Sequence, residues 1–161
     1  MAIDKEKLRE RVIEALTVEL RTMSKAAADA REAATHEESK PENDKDTRGL
    51  EASYLAGAQA ARAEELKRNI AFLKTLTLEQ FQDDAAVKAT ALIELDDGEH
   101  ARWYFLLPSG GGAKLTSEAG EVTVLTPESP LGRAVLGKRM GDAVEVVTRA
   151  GAREYEILRL S

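Results

Sequence analysis

Ser129-Pro130-Leu131-Gly132-Arg133-Ala134-Val135-Leu136-Gly137-Lys138-Arg139-Met140-Gly141-Asp142 is the stretch that decides the fold. Ser129 offers a hydroxyl to the free N–H groups of a helix start, and Pro130 stands where a missing N–H is harmless. Gly137 can close that helix in a left-handed conformation, and Gly141-Asp142 turns the chain onward. Ala143 to Thr148, with Val144-Glu145-Val146-Val147, then reads as a strand, and Arg153 to Leu160, with Glu154-Tyr155-Glu156-Ile157, returns after a turn. The spacing predicts a short helix feeding a strand pair.

Upstream of this run the apolar period is also two. Val87, Ala89, Ala91, Ile93 and Leu95 alternate with other residues, Asp96-Asp97-Gly98 is a turn, and Arg102 to Leu107 returns. Trp103 and Phe105 fall on one face of that strand, Tyr104 and Leu106 on the other. Pro108 to Gly112 is a glycine-rich loop and Glu121 to Thr126 a third strand. The pattern predicts a twisted antiparallel sheet carrying one short helix, over residues 80–161.

Residues 1–79 have a different period. Ile13, Leu16, Leu20, Met23, Ala27, Ala30 and Ala34 follow spacings of three and four, the seam of a coiled coil. Leu50, Tyr54, Leu55, Ala63, Leu66, Ile70, Leu73 and Leu76 supply the apolar face of a second helix. Neither stripe can be buried alone, so an antiparallel helical hairpin is expected, with Leu8 to His36 about 43 Å long. Alanines crowd its outer part (Ala26, Ala27, Ala28, Ala30 against Ala56, Ala58, Ala60, Ala61). They imply either a slender, closely packed tip or simply good helix formers. The whole is an α+β chain: a coiled-coil hairpin with an acidic tip near 36–49, then the sheet domain.

Composition narrows the function. Charged residues make up 32% and aromatics 4% of 161 residues, which suits long solvated helices and a modest core. A net charge of −6 argues against general binding to exposed duplex nucleic acid. With no cysteine, disulfides and thiolate metal sites are excluded, and no apolar signal segment opens the chain, so a cytoplasmic monomer without membrane contact is expected.

The run from Ser129 to Asp142 and the valine-alternating strand behind it closely resemble the C-terminal signature of the GreA/GreB transcript-cleavage factors. The resemblance implies an FKBP-like C-terminal domain and bacterial RNA polymerase as partner. Ser129, Pro130, Leu131, Gly132 and Arg133 would then contribute to docking. In the family the coiled coil enters the polymerase's secondary channel, where two tip acids in an Asp-Leu-x-Glu-Asn motif help bind a catalytic Mg²⁺ and assist cleavage of the backtracked RNA 3′ end. Ala28-Asp29-Ala30-Arg31-Glu32 is similar to the family's approach to the tip, and Glu51-Ala52-Ser53-Tyr54 resembles its second-helix start.

On that alignment Glu38 takes the Asp position while Glu42-Asn43 matches the Glu-Asn pair, making Glu38 and Glu42 the implied catalytic and Mg²⁺-holding acids. Lys40-Pro41 lengthens the motif, and Asp44 to Gly49 has no family counterpart. Glu37, Asp44, Asp46 and Glu51 are therefore alternates. Carboxylate oxygens suit Mg²⁺, held jointly with the polymerase, although a run of acids also serves simply as a solvated loop. The chain alone should catalyse nothing. A channel-occupying regulator without cleavage and a prolyl isomerase are the competing functions.

Three further features have weaker chemistry. His36 beside the acids offers a ligand or proton carrier. Gly110-Gly111-Gly112-Ala113-Lys114 superficially resembles a phosphate loop but lacks the Gly-Lys-Ser/Thr ending. Arg21, Lys25, Arg31, Arg62, Lys67 and Arg68 form either a basic strip or ordinary surface charge.

Overall fold

A computed structural model describes residues 2–35 and 48–161. Asp4 opens helix α1 (Lys5–Thr35) by accepting the N–H groups of Glu6 at 3.0 Å and Lys7 at 3.2 Å, the expected use of an aspartate at a helix start. Helix α2 spans Arg48–Thr75. The chain divides into two compact units: Ile13–Lys74, and Met1–Val12 together with Thr75–Ser161.

The first unit is the helical hairpin. Leu16, Ala27 and Ala30 of α1 and Ala63, Leu66, Ile70 and Leu73 of α2 are buried. Arg62 crosses from α2 to Glu19 of α1 at 3.1 Å and also holds Glu65 at 2.9 Å. These bonds, Glu65 first, push the guanidinium pKa up. The sequence places Leu50, Tyr54 and Leu55 on the buried face, but the structure leaves all three exposed, Tyr54 by 72%. At about 100° per residue, Tyr54 stands a third of a turn away from the stripe of Leu66.

The second unit is a six-stranded sheet of order β3-β4-β2-β1-β6-β5. Its strands are β1 (Leu92–Asp96), β2 (Ala101–Leu106), β3 (Lys114–Ser117), β4 (Gly120–Leu125), β5 (Ala143–Thr148) and β6 (Gly151–Leu160), with helix α3 (Pro130–Val135) between β4 and β5. All pairs are antiparallel except β2 and β4, whose register runs parallel from Trp103 against Val122 to Leu106 against Leu125. The sheet is thus mixed rather than wholly antiparallel. The cause is β3, a four-residue strand between the glycine-rich loop and the next strand, where the sequence reading assigns no element; its hairpin reverses the chain once more before β4 joins β2.

Ile93, Leu95, Leu106, Leu125, Val135, Val144 and Ile157 form one core between sheet and α3. Residues 87–91 do not extend β1 as the alternation suggests. Val87 instead exchanges hydrogen bonds with the turn after α3, and Thr90 sits buried at φ 70°. That backbone is costly for a β-branched residue. It is held by the Thr90 N–H donating to the Leu106 carbonyl at 2.8 Å, while Oγ1 accepts the Glu79 N–H at 3.0 Å. The start of α1 secures the same segment: Lys5 donates to the Glu79 carbonyl at 2.6 Å and lies 4.8 Å over the Phe81 ring, and Arg9 donates to Leu76 at 2.7 Å.

Candidate functional site

The five residues expected to dock a partner are largely occupied by their own fold. Ser129 takes an extended backbone, donates its hydroxyl to the Thr126 carbonyl at 2.7 Å and accepts the Gly132 N–H at 3.0 Å. Gly132 is buried, and a Cβ there would lie 1.9 Å from the Thr126 oxygen, so no side chain fits. Leu131 packs against the core. Pro130 and Arg133 are exposed.

The turn after α3 is equally well tied. Gly137, at φ 76°, donates to Val87 at 2.9 Å, and Lys138 accepts from the Val87 N–H at 2.7 Å. The Arg139 N–H donates to the Asp142 carboxylate at 2.8 Å, and the Arg139 guanidinium donates to the Asp84 carbonyl. Gly141 donates to Ile157 at 2.7 Å while Asp142 accepts from it at 2.9 Å. Outward the run presents Pro130, Arg133, Leu136, Lys138 and Met140, together with Arg139, whose guanidinium is turned to Asp84. Leu136 and Met140, exposed by 37% and 41%, were not singled out from sequence. Their only signal there is an apolar side chain on each side of a glycine-bounded turn.

His36, Glu37, Glu38, Glu42, Asp44 and Asp46 lie outside the described residues. Glu51 is described: it is exposed in the first turn of α2, where the helix end favours a negative charge. Among the described residues no group of three or more His, Cys, Asp or Glu is placed to hold a metal. The Mg²⁺ expectation therefore rests on the donor chemistry of the tip sequence, whose hard carboxylate oxygens fit that ion.

Other features resolve into structure. In the glycine-rich loop the Gly112 N–H donates to Val124 at 2.9 Å and that of Ala113 to Gly110 at 3.1 Å, so these two amides are not offered to a phosphate. Of the basic strip, Arg62 is paired as described and Lys67 holds Glu64 at 2.7 Å, lowering that carboxylate's pKa. Phe105 is fully buried, and alternation along β2 separates Trp103 from Tyr104, so these three aromatics do not share a pocket. No helix among the described residues is long and apolar enough to cross a membrane.

The chain resembles known proteins over its sheet domain above all. The family model described as "Transcription elongation factor, GreA/GreB, C-term" matches residues 80–161. The chain is 28% identical over 111 residues to transcription elongation factor GreA of Azorhizobium caulinodans, covering 68% of this chain and 66% of the relative. It is 30% identical over 115 residues to GreA of Mesorhizobium japonicum, covering 68% and 69%. For GreA of Paracoccus denitrificans the match, 39% over 72 residues, spans 45% of this chain and 42% of the relative, so the chain spans less than two thirds of some of these relatives. Among solved structures, Gfh1 of Thermus aquaticus aligns over 94% of this chain and 92% of its own, at 21% identity and a TM-score of 0.40. The family match covers the whole sheet domain, including the capped helix and its tied turn, and the chain belongs to the GreA/GreB family of transcription elongation factors.

Proposed function

We propose that this chain binds bacterial RNA polymerase, inserts its helical hairpin into the secondary channel and stimulates Mg²⁺-dependent cleavage of backtracked RNA. The observation that carries the reading is the family match over residues 80–161, with the Ser129–Asp142 run folded as a capped helix and a hydrogen-bonded turn. Pro130, Arg133, Leu136, Lys138 and Met140 are exposed side chains of that run that a partner could meet. The hairpin supports the second half of the proposal. Its buried seam shifts from Leu16 and Leu66 to Ala27 and Ala30, and small residues let two helices approach closely enough for a narrow channel.

Glu38 and Glu42 would hold the metal ion jointly with the polymerase, which supplies Lewis-acid stabilisation of the phosphate when bound. The role of this chain is to bring the carboxylates to an active site it does not contain. Mg²⁺ takes only one or two carboxylates and leaves its other positions to waters or phosphates, so weak Mg²⁺ binding is expected from the isolated protein.

A second reading, occupation of the channel without cleavage, is favoured by one feature: Lys40-Pro41 and the Asp44–Gly49 segment lengthen the tip relative to the family motif. Cleavage of RNA in a stalled, backtracked polymerase complex separates the two. Rapid 3′ cleavage by the wild type, lost in Glu38→Ala/Glu42→Ala while binding persists, is the expected result. Cleavage that survives in the double variant moves the acids to Asp44, Asp46 or Glu51. Binding without cleavage by either protein leaves the channel-occupying regulator.

A further inference from the structure

The sheet ends in two edges, and they differ. β3 is four residues long and opens on Lys114, a short, charged edge of the kind that resists pairing. β5 runs Ala143-Val144-Glu145-Val146-Val147-Thr148, without proline, lysine or a register shift against β6. Its pairing with β6 sets which side is open. Thr148 pairs with Gly151 across a two-residue turn, and at the other end the Ile157 N–H donates to the Asp142 carbonyl at 2.9 Å. Even-numbered residues therefore bond to β6, and the N–H and C=O groups of Ala143, Glu145 and Val147 point away from it. Among the described residues, no hydrogen bond reaches these outward groups from elsewhere in the chain.

The side chains along this edge carry a second signal. Val147 is 70% exposed, more than Leu136 or Met140. Glu145 shares its face and stands directly across from Glu154 of β6. Like charges so placed repel, and among the described residues neither glutamate has an ion-pair partner. Arg149, exposed in the turn two residues beyond Val147, is likewise unpaired. The hairpin thus holds an unrelieved acid and an unused cation four positions apart on an open strand.

We propose that β5 pairs antiparallel with β5 of a second copy of this chain, about a twofold axis through Val146. In that register Glu145 and Val147 of the second copy exchange both backbone bonds, and the reciprocal pair does the same. Each Val147 is covered by the opposing strand. Each Glu145 lies diagonally from Arg149 of the second copy, within reach of a long side chain, which offsets the repulsion from Glu154. Moving the axis to Glu145 sets that residue against its own copy, and moving it to Val147 leaves only the Val147 pair bonded within the strands. Charge complementarity selects a second copy, because this hairpin supplies both halves of the ion pair at the spacing the twofold requires. A strand edge of this length buries well under the ~1,200 Å² of a stable interface, and the net charge of −6 adds repulsion, so the dimer is weak. A monomer is what the sequence alone suggests; the open edge of β5 argues for a concentration-dependent dimer. None of residues 129–142 takes part, so the proposal stands apart from the polymerase-docking reading.

Sedimentation equilibrium of the full chain, from micromolar to millimolar concentration, reads the association. A monomer–dimer equilibrium is expected, weakened about tenfold by Arg149→Glu and by Glu145→Arg. The double variant Glu145→Arg/Arg149→Glu should restore it to within about twofold, because each copy supplies both halves of the pair. Val147→Pro should abolish it, since it removes an outward N–H and no bond to β6, and an unchanged ¹⁵N spectrum away from β5 shows that variant folded. Monomers throughout the range, a dimer indifferent to Val147→Pro, or a double variant no better than the single ones would overturn the proposal.

Discussion

Gly132 shows how a single residue separates folding from recognition. With the Thr126 oxygen 1.9 Å from where a Cβ would be, Gly132→Ala must displace backbone, and the cap made by Ser129 goes with it. A loss of at least about 2 kcal/mol in urea unfolding is expected. Arg133→Ala, one residue along and exposed, should change stability by less than about 0.5 kcal/mol while weakening polymerase binding. An unchanged urea midpoint for Gly132→Ala would refute the cap geometry. This part of the fold was legible in the sequence because its determinants are local: a serine cap, a proline in the first turn and a glycine closing the helix act within a few residues of one another.

Lys5 gives the pH prediction at the same scale. Burial, opposed by the charge of Glu79, lowers its pKa from 10.5 to about 8. Between those values the unfolded chain holds more protons at this site than the folded one, so stability should rise with pH from about 8 toward 10.5. Lys5→Met should flatten that rise in unfolding measured across the window. An ammonium group titrating near its ordinary value by NMR would contradict the burial. The sequence offers no hint of this, since Lys5 is one of several charges in a helical first turn and its partners Glu79 and Phe81 are more than seventy residues away.

At the scale of elements, the hairpin is held by Leu16, Leu66, Ile70 and Leu73 rather than by every apolar residue along it. Leu66→Ala should cost about 2–5 kcal/mol in the stability of the hairpin unit, and Tyr54→Ala close to nothing, by thermal or urea unfolding. Comparable losses for both would mean that the first turns of α2 are packed. The helical period was readable, but the number of apolar residues was a poor guide to burial where alanine faces alanine. The strands show the same limit. β5 was read with its boundaries because valines alternate between two turns, whereas the parallel β2–β4 pair was missed. It depends on the four residues of β3 reversing the chain, and no periodicity shows in so short a strand. Thr90 is a related case, since a left-handed threonine is fixed by Leu106 and Glu79 and not by its neighbours in sequence.

For the whole molecule, the proposed function divides labour between the two units: the sheet domain would supply the docking element and the hairpin would carry acids to a distant active site. The sequence made the first half readable through the Ser129–Asp142 run and the second only through the acidic tip, where the departing spacing leaves the choice among Glu38, Glu42 and their neighbours to experiment. The absence of cysteine allows a single reporter to be placed at will. Leu50→Cys, at an exposed position near the start of α2, accepts a benzophenone without disturbing the buried seam. Photocross-linking of that protein in a backtracked bacterial RNA polymerase complex tests the central claim most directly. Cross-links to the RNA 3′ end or to polymerase segments around the catalytic metal are the expected result. Cross-links confined to the outer surface of the polymerase, or no stable complex, would contradict it.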